Sequence, residues 1–173
     1  MNRRRLLLAA GGIGLTGASA WTLRNDFDDD GLPMQVEALD APGSAAGEVR
    51  VPAADTVTVV DLFATWCAPC KRQMDELATV HQRYGEDVAM ISVTNERIGG
   101  SLSRDDVREW WRRHDGAWTV GLDQDSDLMA ALGASELPFL AVVEADGEVR
   151  WKDGNVTDAA RLEREIDRAL GGT

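Results

Sequence analysis

The feature that most constrains this chain is a single stretch in which an apolar run leads into a cysteine pair and then into a helical pattern. Val57-Thr58-Val59-Val60-Asp61-Leu62-Phe63 is short, β-branched and nearly continuously apolar, as expected of a strand buried in a parallel sheet. Cys67-Ala68-Pro69-Cys70 follows, and from Lys71 to Tyr84 the residues Met74, Leu77, Ala78 and His81 recur three or four apart, the spacing of one helix face. A strand, a tight connection carrying two cysteines and a helix leave little freedom: the sheet must be covered, and the cysteines sit at the helix start.

The rest of the sequence extends this pattern. Val88 to Val93 reads as a second buried strand after Gly85 closes the first helix as a C′ residue. Ser103, with Asp106 in the first turn, begins a helix that continues through Val107, Trp110, Trp111 and His114. A short strand near 118–120 and a helical turn over 127–132 lead to Leu137-Pro138-Phe139 and the strand Leu140 to Val143. Asp146-Gly147 predicts a hairpin returning through 148–152. Thr157 is expected to cap a last helix with an apolar stripe of Leu162, Ile166, Ala169 and Leu170. Early crossovers imply parallel pairing and the late hairpin antiparallel pairing, which predicts an α/β fold with a mixed central sheet and helices on both faces.

The chain has 173 residues and only two cysteines. A domain of this size buries a core without disulfide staples, so the pair is free for chemistry. The net charge of −12 repels phosphate backbones and argues against nucleic-acid binding. Lys71 and Lys152 are the only lysines, and this acidic, lysine-poor composition resembles that of proteins from extreme halophiles.

Arg3, Arg4 and Arg5 precede an uncharged stretch from Leu6 to Leu23 and then Asp26, Asp28, Asp29 and Asp30. We expect residues 1–23 to be a signal peptide or membrane anchor with the domain outside the cytoplasm. Asn2 to Leu8 resembles a twin-arginine signal, and Ala18-Ser19-Ala20 offers small residues of the cleavage type. Residues 24–48 read as a linker and irregular lead-in, with an edge strand near Val49–Val51 before Pro52, and 49–173 as the globular domain.

Cys67 lies where a helix N-terminus favours a thiolate, and Cys70 lies one turn in, near enough for a disulfide. Pro69 costs little in the first turn. A structural zinc site would need four ligands, and no second cysteine pair exists. His81 and His114 read as core or surface histidines. Asp61 is an acid inside an apolar strand, so desolvation should raise its pKa and suit it to accept the proton of Cys70. Pro138 stands just before a strand, where a cis proline makes a tight bend. Trp66 can shield the thiol or offer a flat contact to a substrate chain, whereas Trp110, Trp111, Trp118 and Trp151 read as packing residues.

The segment Val59 to Lys71, with Trp66-Cys67-Ala68-Pro69-Cys70 at its centre, closely resembles the active-site segment of the thioredoxin superfamily, and Leu137-Pro138-Phe139 resembles its cis-proline loop. The likeness covers roughly residues 50–170. The leader, the Trp-Cys-x-Pro-Cys form and the extra helix near 103–114 are similar to TlpA-like and ResA-like extracytoplasmic reductases.

The resemblance implies a three-layer thioredoxin-like fold and thiol–disulfide exchange with protein partners. It makes Cys67 the nucleophile, Cys70 the resolving thiol, Asp61 the buried acid, Trp66 the tryptophan before the pair and Pro138 the cis-proline facing the disulfide. It also implies a membrane electron donor and no cofactor. A lysine that often partners the buried acid has no counterpart; Ser92-Val93-Thr94-Asn95 stands in its place. A Sco-type copper carrier on the same fold would show Cys-x-x-x-Cys and a histidine near the proline loop. A non-enzymatic binding module would tolerate loss of either cysteine or Asp61, and a peroxidase would lack the adjacent Trp-Cys-x-x-Cys.

Overall fold

A computed structural model describes residues 31–171; the expected leader and the acidic run after it lie outside these residues. Seven strands, β1 (Met34–Ala38), β2 (Gly47–Val51), β3 (Thr58–Phe63), β4 (Ala89–Thr94), β5 (Thr119–Leu122), β6 (Phe139–Val143) and β7 (Val149–Asp153), alternate with four helices, α1 (Ala68–Tyr84), α2 (Arg104–Arg113), α3 (Asp127–Ala131) and α4 (Ala159–Gly171). The strands form one sheet in the order β2-β1-β5-β4-β3-β6-β7. β3 pairs in parallel with β4, and β4 with β5, while β6 and β7 add antiparallel strands. The fold is thioredoxin-like, with a mixed central sheet as the pattern of crossovers and hairpin implies.

Every residue of β3 is buried, which is why its sequence is apolar without alternation. Its residues nevertheless alternate between two layers. Val59 and Phe63, with Met90, Val120, Leu140 and Val142, pack on α1, α2 and α4 through Met74, Leu77, Trp110, Trp111, Leu162 and Ile166. Val60 and Leu62, with Ile91, Val93, Ala141 and Val143, face the opposite layer, where Leu128 of α3 and Leu132 just beyond it pack. Helices therefore cover both faces, and the parity of β3 assigns Asp61 to the α1 layer.

Three local expectations are corrected. Met34–Ala38 lies inside the segment read as irregular, yet it forms β1, paired in register with β2 and, through Glu37 and Ala38, with β5. Five residues with two buried apolar side chains, Val36 and Ala38, carry almost no local strand signal; the pairing partner β5 supplies the reason for the strand. β2 takes the edge position expected before Pro52.

Gly85 ends α1 with a right-handed φ of −63° and so is not a left-handed C′ glycine. A Cβ there would lie 2.6 Å from the His81 carbonyl oxygen, so close approach explains the glycine. Thr157 does not cap α4: the Arg161 N–H goes to Asp158 Oδ1 at 2.7 Å and the Ala159 N–H to Glu76 Oε2 at 2.7 Å. At the start of α2 the expected Ser103 cap is present as a reciprocal pair with Asp106. Among the described residues, no helix is long and apolar enough to cross a membrane.

Candidate active site

Cys67 and Cys70 are joined in a disulfide with their Cα atoms 5.3 Å apart. Cys67 is the N-cap of α1, in extended conformation, and its Sγ accepts the Cys70 backbone N–H at 3.2 Å. This is the capping role in which a side chain satisfies an N–H that has no helical partner. The first turn of α1 holds no acidic residue, so no side chain of that turn offsets the positive end of the helix beside the sulfur atoms, a setting that favours a thiolate. Both cysteines are nearly sealed, at 2% and 1% exposure.

The connection from β3 to α1 is held by a residue that the sequence reading passed over. Glu96 accepts the Thr65 backbone N–H at 2.6 Å on Oε2 and the Thr65 hydroxyl at 2.9 Å on Oε1. Thr94 at the end of β4 donates its hydroxyl to the same Oε2 at 3.1 Å. The Cys67 N–H closes the connection by donating to the Ala64 carbonyl at 3.0 Å. Trp66, between these two anchors, is 73% exposed. A ring with so much surface in water covers little of its surroundings.

Asp61 stands in register between Leu140 of β6 and Ser92 of β4, on the layer that also contains Cys67 and Cys70. Ser92 Oγ donates to Asp61 Oδ2 at 2.7 Å, and Trp118 Nε1 donates to Ser92 Oγ at 2.9 Å. Oδ1 has no partner. Burial pushes the carboxyl up from 3.8 to about 7, against the smaller opposing effect of the Ser92 hydrogen bond. Serine thus occupies the place where a lysine was looked for.

The Leu137–Pro138 peptide is cis. Because Leu62 pairs with Phe139, the register carries Pro138 to the C-terminal end of β3, the end from which the chain runs to Cys67. Asp61 lies two residues before the end of β3 from which the chain runs to the cysteine pair, and its partner on β6, Leu140, lies two residues after Pro138. Trp118, read from sequence as packing alone, also belongs to the polar group behind Asp61. A signal for this was present: Ser92 is the one hydroxyl inside the apolar run Val88 to Val93, and aligning that run with β3 puts it opposite the one acid.

A family model described as Redoxin matches residues 43–170. The chain belongs to the redoxin family. This redoxin is 22% identical over 94 residues to the thiol-disulfide oxidoreductase ResA of Geobacillus thermodenitrificans, covering 53% of this chain and 50% of ResA. It is also 22% identical over 116 residues to the thiol-disulfide oxidoreductase YkuV of Bacillus subtilis, covering 67% of this chain and 78% of that protein. The match thus spans half the length of that ResA. Among solved structures, StoA from Bacillus subtilis superposes with a TM-score of 0.63 at 14% identity, covering 76% of this chain and 94% of StoA; that likeness speaks to the fold. The Cys67–Cys70 pair of the redoxin is a CxxC-type disulfide consistent with thiol–disulfide oxidoreductase chemistry.

Proposed function

We propose that this redoxin is an extracytoplasmic protein-disulfide oxidoreductase that works chiefly as a reductase, with Cys67 attacking and Cys70 resolving. The observation that carries the reading is the seating of the pair: Cys67 caps the N-terminus of α1, whose first turn carries no acid, and a buried carboxyl shares its layer. The Cys67 thiolate attacks one sulfur of a substrate disulfide, and the other substrate sulfur leaves as a thiolate. Cys70 then loses its proton to Asp61 and attacks Cys67 Sγ. The Cys67–Cys70 disulfide forms, the second substrate thiol is released, and the substrate has gained the two electrons that the pair has lost.

Trp66 offers its exposed face to the substrate chain, and Pro138 faces the disulfide from the end of β3. Residues 1–23 export the domain or tether it, supported by the order of Arg3 to Arg5, an uncharged stretch and then acids. A membrane thiol carrier that brings electrons across the bilayer returns the pair to the dithiol, and the protein partners are thiols and disulfides outside the cytoplasm.

Reduction of insulin disulfides by the reduced protein tests the reading. Cys67→Ser should abolish turnover, and Cys70→Ser should accumulate a covalent adduct that dithiothreitol releases. Redox titration of the pair then sets direction: a potential near about −270 mV supports a reductase, and one near about −120 mV places the protein among disulfide-forming oxidants. Turnover that survives loss of Cys67 would end the proposal.

A further inference from the structure

The polar groups behind Asp61 form a chain whose hydrogen directions can be assigned. An indole N–H only donates, so the contact from Trp118 Nε1 makes the Ser92 hydroxyl oxygen an acceptor. The single hydrogen of that hydroxyl is left for Asp61 Oδ2, 2.7 Å away. Oδ2 is therefore committed as an acceptor. A proton on Oδ2 would meet the Ser92 hydrogen and turn it away from its acceptor, so the protonated carboxyl carries its proton on Oδ1, the atom without a partner.

Each member of the chain is fixed by packing. Ser92 is fully buried and Trp118 is 4% exposed. The Trp118 ring meets Trp111 edge-on at 5.1 Å and lies 5.3 Å from the His81 ring. Trp111 is held in turn by donating its Nε1–H to the Pro42 carbonyl at 3.0 Å. Both donors that reach toward Asp61 are neutral. A cation in that place would hold the acid ionised, whereas a hydroxyl backed by an indole orients it and leaves both protonation states accessible.

We propose that Ser92 and Trp118 are positioning residues of the exchange reaction: together they pin Asp61 through Oδ2, so that its proton transfer with Cys70 runs through Oδ1. The inference rests on the reading of Asp61 as the proton acceptor in the resolving step. In that step the Cys70 proton passes to Oδ1 while the Cys70 sulfur bonds to Cys67 Sγ. The Cys67–substrate S–S bond breaks, and its electron pair leaves on the substrate sulfur. Asp61 afterwards returns the proton to the departing thiolate or to water, and Ser92 and Trp118 exchange no proton.

The titratable groups turned toward this layer are Cys67 and Cys70 at the start of α1, His81 of α1 on the Trp118 ring, Tyr84 at the end of α1, whose hydroxyl donates to Asp167 Oδ1 at 2.7 Å, and His114 after α2, whose ring lies 4.4 Å from Trp110. On α4, Glu165 is ion-paired to Arg161 and Arg168. The neighbours of Asp61 along its row, Leu140 and Ser92, carry no charge.

The test uses the reduced full-length protein with a dithiobis-nitrobenzoate, in which the first coloured thiolate reports attack by Cys67 and the second reports resolution by Cys70. The rate of the second release is followed from about pH 5 to 9, across the range in which a buried carboxyl titrates. Asp61→Asn should remove the inflection of the wild-type profile. Ser92→Ala should move it upward by about one pH unit, because a hydrogen bond to the ionised form is lost. Trp118→Phe should move it the same way by less, and Ser92→Thr should restore it.

An inflection unmoved in both Ser92→Ala and Trp118→Phe, but absent in Asp61→Asn, would overturn the positioning assignment and leave the reading of Asp61 standing. An inflection that persists in Asp61→Asn would overturn that reading instead. His81→Gln should keep the inflection; its loss there would assign the titration to the imidazole and overturn the proposal.

Discussion

Asp61 holds its carboxyl in a largely apolar layer, with the Ser92 hydroxyl as its hydrogen-bond donor, and its pKa of about 7 compared with 3.8 has a thermodynamic consequence. Below the ordinary value the group is protonated in both the folded and unfolded chain, and stability does not depend on pH through it. As pH rises toward the folded value, the unfolded chain ionises first, and stability falls by about 1.4 kcal/mol for each pH unit until the folded group also ionises. Asp61→Asn removes this loss. The stability advantage of Asp61→Asn over the parent should therefore grow by roughly 2–3 kcal/mol between about pH 5 and 8 in denaturant titrations of the oxidised protein. A constant difference across that range would show that Asp61 is not titrating within it. Asp61 and the cysteines were legible in the sequence because each is chemically out of place in its surroundings: an acid in an apolar strand, two thiols at a helix start. Ser92, Trp118 and Glu96 were not read as parts of the site. Their partners lie 26 to 31 residues away in the chain, and only strand register and loop closure bring them together.

Between elements, α1 and α4 meet through a polar clasp inside the apolar layer. Gln73 of α1, 1% exposed, donates Nε2 to the Thr157 carbonyl at 3.0 Å and accepts the Thr157 N–H on Oε1 at 2.8 Å. Glu76, one turn along, accepts the Ala159 N–H at the start of α4. The two side chains satisfy backbone groups that would otherwise be buried without partners as α4 begins. Gln73→Ala leaves both the donor and the acceptor of Thr157 unpaired and should cost roughly 2–4 kcal/mol of unfolding free energy. Gln73→Glu should cost at least as much, because a carboxylate still accepts the N–H but opposes the carbonyl. Chemical denaturation of the oxidised forms measures both, and a loss below about 0.5 kcal/mol in each would show that water replaces the clasp. This contact explains why the start of α4 was misread. Thr157 looks like a cap in one dimension, but its backbone is already committed to α1, and Asp158 takes the capping position. The elements with strong local period, β3, α1, β4 and α2 with its capping pair, were legible throughout; β1 was not, because β2 and β5 on either side specify it.

For the molecule as a whole the governing quantity is a net charge of −12, and its effect on stability is decided by two opposed responses to salt. Ion pairs such as Arg83–Glu163, Arg104–Glu37 and Arg113–Glu109 lie at the surface, and added salt weakens them, but exposed pairs of this kind contribute only about 0–1 kcal/mol each. The repulsion among the excess carboxylates acts over the whole surface and is cut back as the screening length falls from about 10 Å at 0.1 M salt to about 3 Å at 1 M. With 30 acidic residues against 18 basic ones, relief of repulsion outweighs loss of the pairs. The oxidised protein should therefore gain thermal stability from low to molar sodium chloride, and reduction of a model protein disulfide should quicken over the same range. Sodium and potassium chloride should act alike if screening is the cause. A midpoint that is flat or falls with salt, with full activity at low salt, would mean that the surface pairs balance the excess charge, and the acidic composition would then carry no requirement for salt.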